Sequence, residues 1–204
     1  METNNLAHTY NKIASDYAKD HEHDTWDNDF IEYFCEALFP NAKVLDLGCG
    51  PGVETKKFAL RGFDAQGFDL SEGLLEIARE KLPSATFLQG DMQGELPYTD
   101  EYFDGVFAKA SLLHIPKEKI NAVFDEIFRI LKPGGILHIA LKRGDDERVV
   151  VENDYGYEYQ RFFSFWEAEE LEDICKEYNL KILKQDSWTN PGMKTVWLKY
   201  LLKK

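Results

Sequence analysis

The stretch Val44-Leu45-Asp46-Leu47-Gly48-Cys49-Gly50-Pro51-Gly52 decides the fold. Lys43 to Leu47 reads as a short strand buried on both faces, and three glycines at alternate positions close it. Glycine admits positive φ and lets a ligand approach main chain where a Cβ would otherwise stand. The helix predicted next, Val53 to Leu60, aims its first N–H groups at that ligand. Open parallel α/β sheets bind ligands at this carboxyl edge of their strands.

Working outward, strands and helices alternate. Helices are expected over Tyr10 to Asp20 and Asn28 to Leu38 before the glycine turn. After it come a strand Phe63 to Phe68, a helix Glu72 to Lys81 broken by Pro83, and strands Ala85 to Gln89 and Phe103 to Ala108. Lys117 to Leu131 is the clearest helix, with Ile120, Val123, Phe124, Ile127, Phe128 and Leu131 on one face. A strand Ile136 to Leu141, a helix Glu167 to Tyr178 and strands Leu180 to Gln185 and Thr195 to Leu201 complete the order. Such alternation implies parallel βαβ units with right-handed crossovers. The last two strands have no helix between them, only a turn signal at Asn190-Pro191-Gly192, so the final strand should run antiparallel beside its neighbour.

The chain has 204 residues, which fits one domain: an N-terminal helical cap over 1–40, a ligand-binding core over 41–141, and a substrate loop, helix and final two strands over 142–204. A formal net charge of -13 argues against nucleic acid and anionic membranes as partners. Cys35, Cys49 and Cys175 are scattered and form no CxxC pair, so neither a disulfide framework nor a metal site is expected. No signal peptide and no bilayer-spanning apolar run is read, and a cytoplasmic monomer or homodimer is the expectation.

Further candidates lie at the same sheet edge. Asp69 follows the second strand about 20 residues past the glycines, where a carboxylate can accept from two ribose hydroxyls. Each charge-assisted bond contributes roughly 1.5–3 kcal/mol. The alternative is that Asp69, or Ser71 beside it, caps the next helix. Asp91 follows the third strand and can accept from an adenine amine, or serve as an ordinary turn residue. The glycine spacing is GxGxG, whereas a dinucleotide fingerprint wants glycine where Val53 stands.

Taken together, Val44 to Gly52, Phe68 to Ser71, Gly90-Asp91-Met92, Phe103 to Ile115 and Leu131-Lys132-Pro133-Gly134-Gly135 resemble, in order, the class I S-adenosylmethionine-dependent methyltransferases. The resemblance covers about half the chain, Lys43 to Leu141. It implies a doubly wound, Rossmann-like seven-stranded α/β sheet, mostly parallel with the last strand reversed, and N-terminal helices over the cofactor. It implies S-adenosyl-L-methionine as cofactor and S-adenosyl-L-homocysteine as product. Gly48, Cys49 and Gly50 would meet the methionine portion, with Asp46 counted beside them. Asp69 would hold the ribose, Leu70, Asp91 and Met92 the adenine, and Ala108 the floor under the sulfonium. Tyr10 and Tyr17 match the tyrosine-bearing helix that closes over the cofactor in such enzymes, or else serve as packing. Lys109 departs from the pattern, since a cation near a sulfonium is unfavourable unless it points away or pairs with an acid.

Methyl transfer needs alignment above all, and a base only where the acceptor must lose a proton. His114, in the loop after the fourth strand, is the candidate base, with a packing histidine as the alternative. Lys142 and Arg161 flank a long stretch, Lys142 to Gln160, expected to be a substrate lid. They suit an acidic acceptor, or are solvated or internally paired. Tyr155, Tyr157 and Tyr159 either line the acceptor pocket, Tyr157 above all, or alternate along a half-exposed strand. No Asn/Asp-Pro-Pro-aromatic tetrad follows the fourth strand, where Ala108-Lys109-Ala110-Ser111 stands instead. A small-molecule acceptor is therefore expected rather than DNA. The competing readings are a cofactor-binding protein without catalysis and an NAD(P)-dependent oxidoreductase.

Overall fold

The computed structural model describes residues 3–189 and 194–204. The elements run α1 (Thr3–Asp20), α2 (Asn28–Glu36), β1 (Lys43–Leu47), α3 (Val53–Leu60), β2 (Asp64–Asp69), α4 (Glu72–Lys81), β3 (Thr86–Gln89) and β4 (Phe103–Lys109). Then follow α5 (Ile120–Ile130), β5 (Leu131–Lys142), β6 (Glu147–Glu152), β7 (Tyr159–Ser164), α6 (Ala168–Glu177), β8 (Lys181–Thr189) and β9 (Val196–Lys203). Seven strands form one sheet in the order β3-β2-β1-β4-β5-β9-β8. β1 to β5 are mutually parallel, and β9 runs antiparallel to both β5 and β8. The last strand is thus reversed, as expected, and inserted between two others. The turn signal Asn190-Pro191-Gly192 lies outside the described residues.

Side-chain alternation along the strands builds two apolar layers. Leu45, Leu47, Val106, Leu137 and Ile139 pack with Val123, Phe124 and Ile127 of α5 and Leu171 of α6. Val44, Phe107, Ile136 and Leu201 face the other way, onto Phe30, Ile31 and Phe34 of α2 and Phe58 of α3. On that second face the buried Asp27 carboxylate bonds His138 Nε2 at 2.7 Å, and Lys199 bonds Asp29 at 2.8 Å. These polar contacts tie the start of α2 to β5 and β9.

Three expectations change. α2 belongs to a packed layer, so α1 alone supplies the cap. α1 also begins seven residues before Tyr10. The stretch read as a lid loop contains β6, which pairs antiparallel with β7 as a two-stranded hairpin outside the main sheet. Glu147 to Glu152 is strand-forming, with three consecutive valines, but its charged flanks hid this among loop-like residues. Among the described residues no helix is long and apolar enough to cross a membrane.

Candidate functional site

The sheet order reverses at β1, which has β2 on one side and β4 on the other. A crevice opens outside the strand ends at such a switch point. The glycine turn sits there. Gly48, Gly50 and Gly52 all have positive φ, at 80°, 51° and 76°. A Cβ on Gly48 would lie 2.2 Å from the Ser111 Cβ, so the turn and the loop after β4 meet only because the side chain is absent. The Gly48 and Cys49 amides donate to the Phe68 carbonyl at 2.7 and 3.1 Å, locking the turn against β2.

Asp69 ends β2 and is buried. Its Oδ2 accepts from the Gly50 amide and its Oδ1 from the Ser71 amide, both at 2.8 Å. Burial raises its pKa and these amide bonds oppose the rise. Each oxygen keeps a further lone pair for a hydroxyl. Ser71, not Asp69, caps α4, accepting from the Leu74 amide at 3.2 Å. Asp46 does not reach the crevice. Its Oδ2 accepts from the Thr55 amide at 2.9 Å and hydroxyl at 2.6 Å, and burial beside Glu54 lifts its pKa to about 7. The cofactor contact expected of Asp46 is therefore replaced by a brace between β1 and α3.

A narrow slot of about 80 Å³ runs from the glycine turn past Asp69, Leu70, Asp91 and Met92, under Leu6, Tyr10 and Tyr17 of α1. It joins a wider cavity of about 490 Å³, and Tyr10, Tyr17, Gly48, Gly50, Lys109, Ala110 and His114 border both. Ala108, expected as the floor, is fully buried in the core and borders neither; Ala110, the residue after β4, borders both. Ser111 borders the slot, and its hydroxyl is buried with no partner among the described residues. Acceptor carboxylates, apolar Leu70 and Met92, bare main chain and an unpartnered hydroxyl suit a nucleoside bearing an amino acid tail. Cys49 is buried, and burial next to Asp69 raises its thiol well above the usual range, so it is no nucleophile.

The wider cavity is walled by aromatic residues and cations. Trp26 stacks on Trp188 and Trp197, with centroids 5.6 and 4.5 Å apart. Lys109 pairs with Glu54 at 2.8 Å and approaches Asp24 at 3.6 Å. Burial alone would lower its pKa, but Glu54 raises it, so the ammonium persists and its charge is balanced. Arg161 bonds Glu152 at 2.6 Å and the Tyr10 hydroxyl at 3.3 Å. Lys142 projects over the rings of Phe163, at 4.0 Å, and Trp197, at 5.6 Å. Tyr157 lies elsewhere: its hydroxyl donates to Asp16 at 2.9 Å and Lys12 covers its ring, so it fastens the hairpin to α1 instead of lining the acceptor side.

His114 sits where the slot and cavity meet. Its Nδ1 lies 2.6 Å from the Phe162 carbonyl and its Nε2 2.7 Å from the Tyr10 hydroxyl. A carbonyl only accepts, so Nδ1 carries the proton and Nε2 accepts from Tyr10. Burial holds the ring's pKa at about 3, neutral throughout the physiological range. Sequence reasoning missed Trp26, Trp188, Trp197 and Glu54. Trp26 and Trp188 are 162 positions apart, and no spacing rule links them. The signal available was only an unusual content of aromatic residues.

Residues 44–135 match the methyltransferase domain family model. YqeM of Bacillus subtilis, provisionally named a methyltransferase, is 35% identical over 133 residues, covering 63% of this chain and 53% of that protein. Trans-aconitate 2-methyltransferase of Paracidovorax citrulli is 39% identical over 100 residues, 48% of this chain and 38% of that one. The chain spans about half or less of the length of these curated relatives. Among solved structures, the 1,6-didemethyltoxoflavin-N1-methyltransferase of Burkholderia thailandensis, with S-adenosylhomocysteine bound, superposes at a TM-score of 0.78 with 19% identity, covering 98% of this chain and 87% of that one. A reversed strand β9, which a dinucleotide-binding sheet does not require, agrees with these matches. Residues 44–135 are thus similar to a methyltransferase domain, and the fold is that of solved S-adenosylmethionine-dependent methyltransferases.

Proposed function

We propose that this chain transfers a methyl group from S-adenosylmethionine to a small molecule by direct displacement. The observation that carries the reading is the union of a slot edged by Asp69 and Asp91 with a ligand-sized aromatic cavity, meeting at the glycine turn. Cavities of roughly 300–1,000 Å³ are usual for small ligands. The trans-aconitate and didemethyltoxoflavin enzymes it resembles are by name methyltransferases of small molecules, which supports the acceptor class. Bound cofactor supplies a methyl group already activated for attack by an acceptor lone pair.

The chain's own residues bind, orient and exclude water. Asp69 accepts from ribose hydroxyls through its free lone pairs. Leu70 and Met92 hold the adenine faces, and Asp91 its amine. Gly48, Cys49 and Gly50 present main chain to the amino acid tail. Tyr10 and Tyr17 close the slot from α1. A ring with a pKa of about 3 whose Nε2 is already bonded is a poor proton acceptor near neutrality, so His114 orients Tyr10 and the acceptor arrives with a free lone pair. Lys142 and Arg161 belong to the acceptor side. The three free cysteines are in keeping with a reducing, cytoplasmic setting.

The test is calorimetry of the purified chain with S-adenosylhomocysteine and with NAD. The reading expects saturable binding of the first and none of the second, and a chain that ignores S-adenosylhomocysteine would overturn it. Methylation of a metabolite pool, followed by mass spectrometry, then separates an enzyme from a binding protein.

A further inference from the structure

Three cations border the wider cavity: Lys109, Lys142 and Arg161. Lys109 has the Glu54 carboxylate and Arg161 has Glu152. Lys142 has no carboxylate within ion-pair distance and no hydrogen-bond partner among the described residues. Lys142 ends β5 at the ligand-binding edge, and its ammonium stands over Phe163 and beside Trp197.

An unpaired, largely desolvated ammonium is costly to keep unless something completes it. In a chain of net charge -13 carboxylates are abundant, yet none among the described residues lies within ion-pair distance of Lys142. The ring faces beside it ease the cost only in part. Burial and the neighbouring Arg161 guanidinium bring the Lys142 pKa down to about 8, against the pull of Glu152. A ligand anion would restore the charged form.

We propose that the acceptor is a planar aromatic carboxylic acid, its carboxylate held by the Lys142 ammonium and its ring lying among Trp26, Phe163 and Trp197. This rests on the reading of the wider cavity as the acceptor side of a methyltransferase. It goes further by naming the acceptor's charge and shape and the residue that selects them.

The experiment titrates the full chain with benzoate, indole-3-carboxylate and the matching neutral amides, with and without S-adenosylhomocysteine, by calorimetry and tryptophan fluorescence. The acids should bind at least about tenfold tighter than the amides, a difference of about 1.4 kcal/mol. Lys142→Met should remove that preference while leaving S-adenosylhomocysteine affinity unchanged. Above pH of about 8 benzoate affinity should fall by about tenfold per pH unit in the native chain, and stay level in Lys142→Arg. The charged or titratable groups acting on Lys142 are Arg148 and Glu152 on β6, Arg161 on β7 and His114 in the turn after β4. Equal binding of acid and amide, an unaltered preference in Lys142→Met, or no binding of either acid would overturn the proposal. The acid–amide comparison on the native chain answers even where a variant fails to fold. Failure to bind S-adenosylhomocysteine would instead strike the methyltransferase reading, and the titrations without it keep the two outcomes separate.

Discussion

The slot and the wider cavity share a wall yet are built by different means. The slot is made of main chain: three glycines with positive φ, amides that fix Asp69, and strand ends that bring Asp69 and Asp91 to one edge. The cavity is made of side chains from α1, the α1–α2 loop, β5, β7, β8 and β9. A backbone cradle tolerates few changes and holds one kind of ligand. A side-chain cavity can be relined without disturbing the sheet, and its lining sets which acceptor is taken.

Lys109 borders both regions, and replacing it should give the largest effect. Lys109→Met leaves Glu54 buried with only the longer Lys57 contact, at 3.5 Å. Losing one partner of such a pair costs about 3–5 kcal/mol. The urea midpoint should fall sharply, and both cofactor and acceptor binding should suffer. An unchanged midpoint would show that Glu54 is solvated and that the two regions are not joined by this pair. Asp69→Asn separates the regions. It keeps the shape but not the charge, so S-adenosylhomocysteine affinity should drop by about 10–100-fold, matching roughly 1.5–3 kcal/mol. Aromatic-acid binding at Lys142 should persist in this variant when titrated alone, and its loss would blur the division.

A third, smaller effect concerns His114. Its pKa moves from 6.5 in the unfolded chain to about 3 in the native one. Between those values the unfolded chain binds a proton that the native chain does not, so stability falls as pH drops through the window. The slope for one group is at most about 1.4 kcal/mol per pH unit. His114→Gln should therefore lose less stability between pH of about 6 and 4 than the native chain does, as read by urea unfolding. Equal losses would mean the ring is not held neutral. The smallest effect belongs to Tyr157→Phe. Removing its bond to Asp16 should lower the urea midpoint only slightly and leave S-adenosylhomocysteine affinity untouched, since the residue borders neither region.

The same division explains what could be read in advance. The cradle was legible because Gly48-Cys49-Gly50-Pro51-Gly52, Asp69 and Asp91 lie at strand ends, where local pattern and sheet geometry coincide. Asp46 and Ala108 were misread within that zone. Each sits one or two residues from the edge, and strand alternation turns successive side chains to opposite faces. Lys109 looked out of place beside a sulfonium until Glu54 and Asp24 appeared around it. The hairpin β6–β7 was read as a loop because it pairs only with itself, outside the sheet whose periodicity guided the reading.

The sequence alone determined the alternating order of strands and helices, the glycine turn, the reversed last strand and the acidic residues at the sheet edge. All of these follow from local conformational preference and from short-range patterns of burial. The tertiary structure decided the cavity: which cation keeps no carboxylate partner among the described residues, that Trp26 meets Trp188 and Trp197, that Tyr10 donates to His114. Those contacts join positions up to 171 residues apart. Burial and pairing there depend on distances in space, which no local pattern carries.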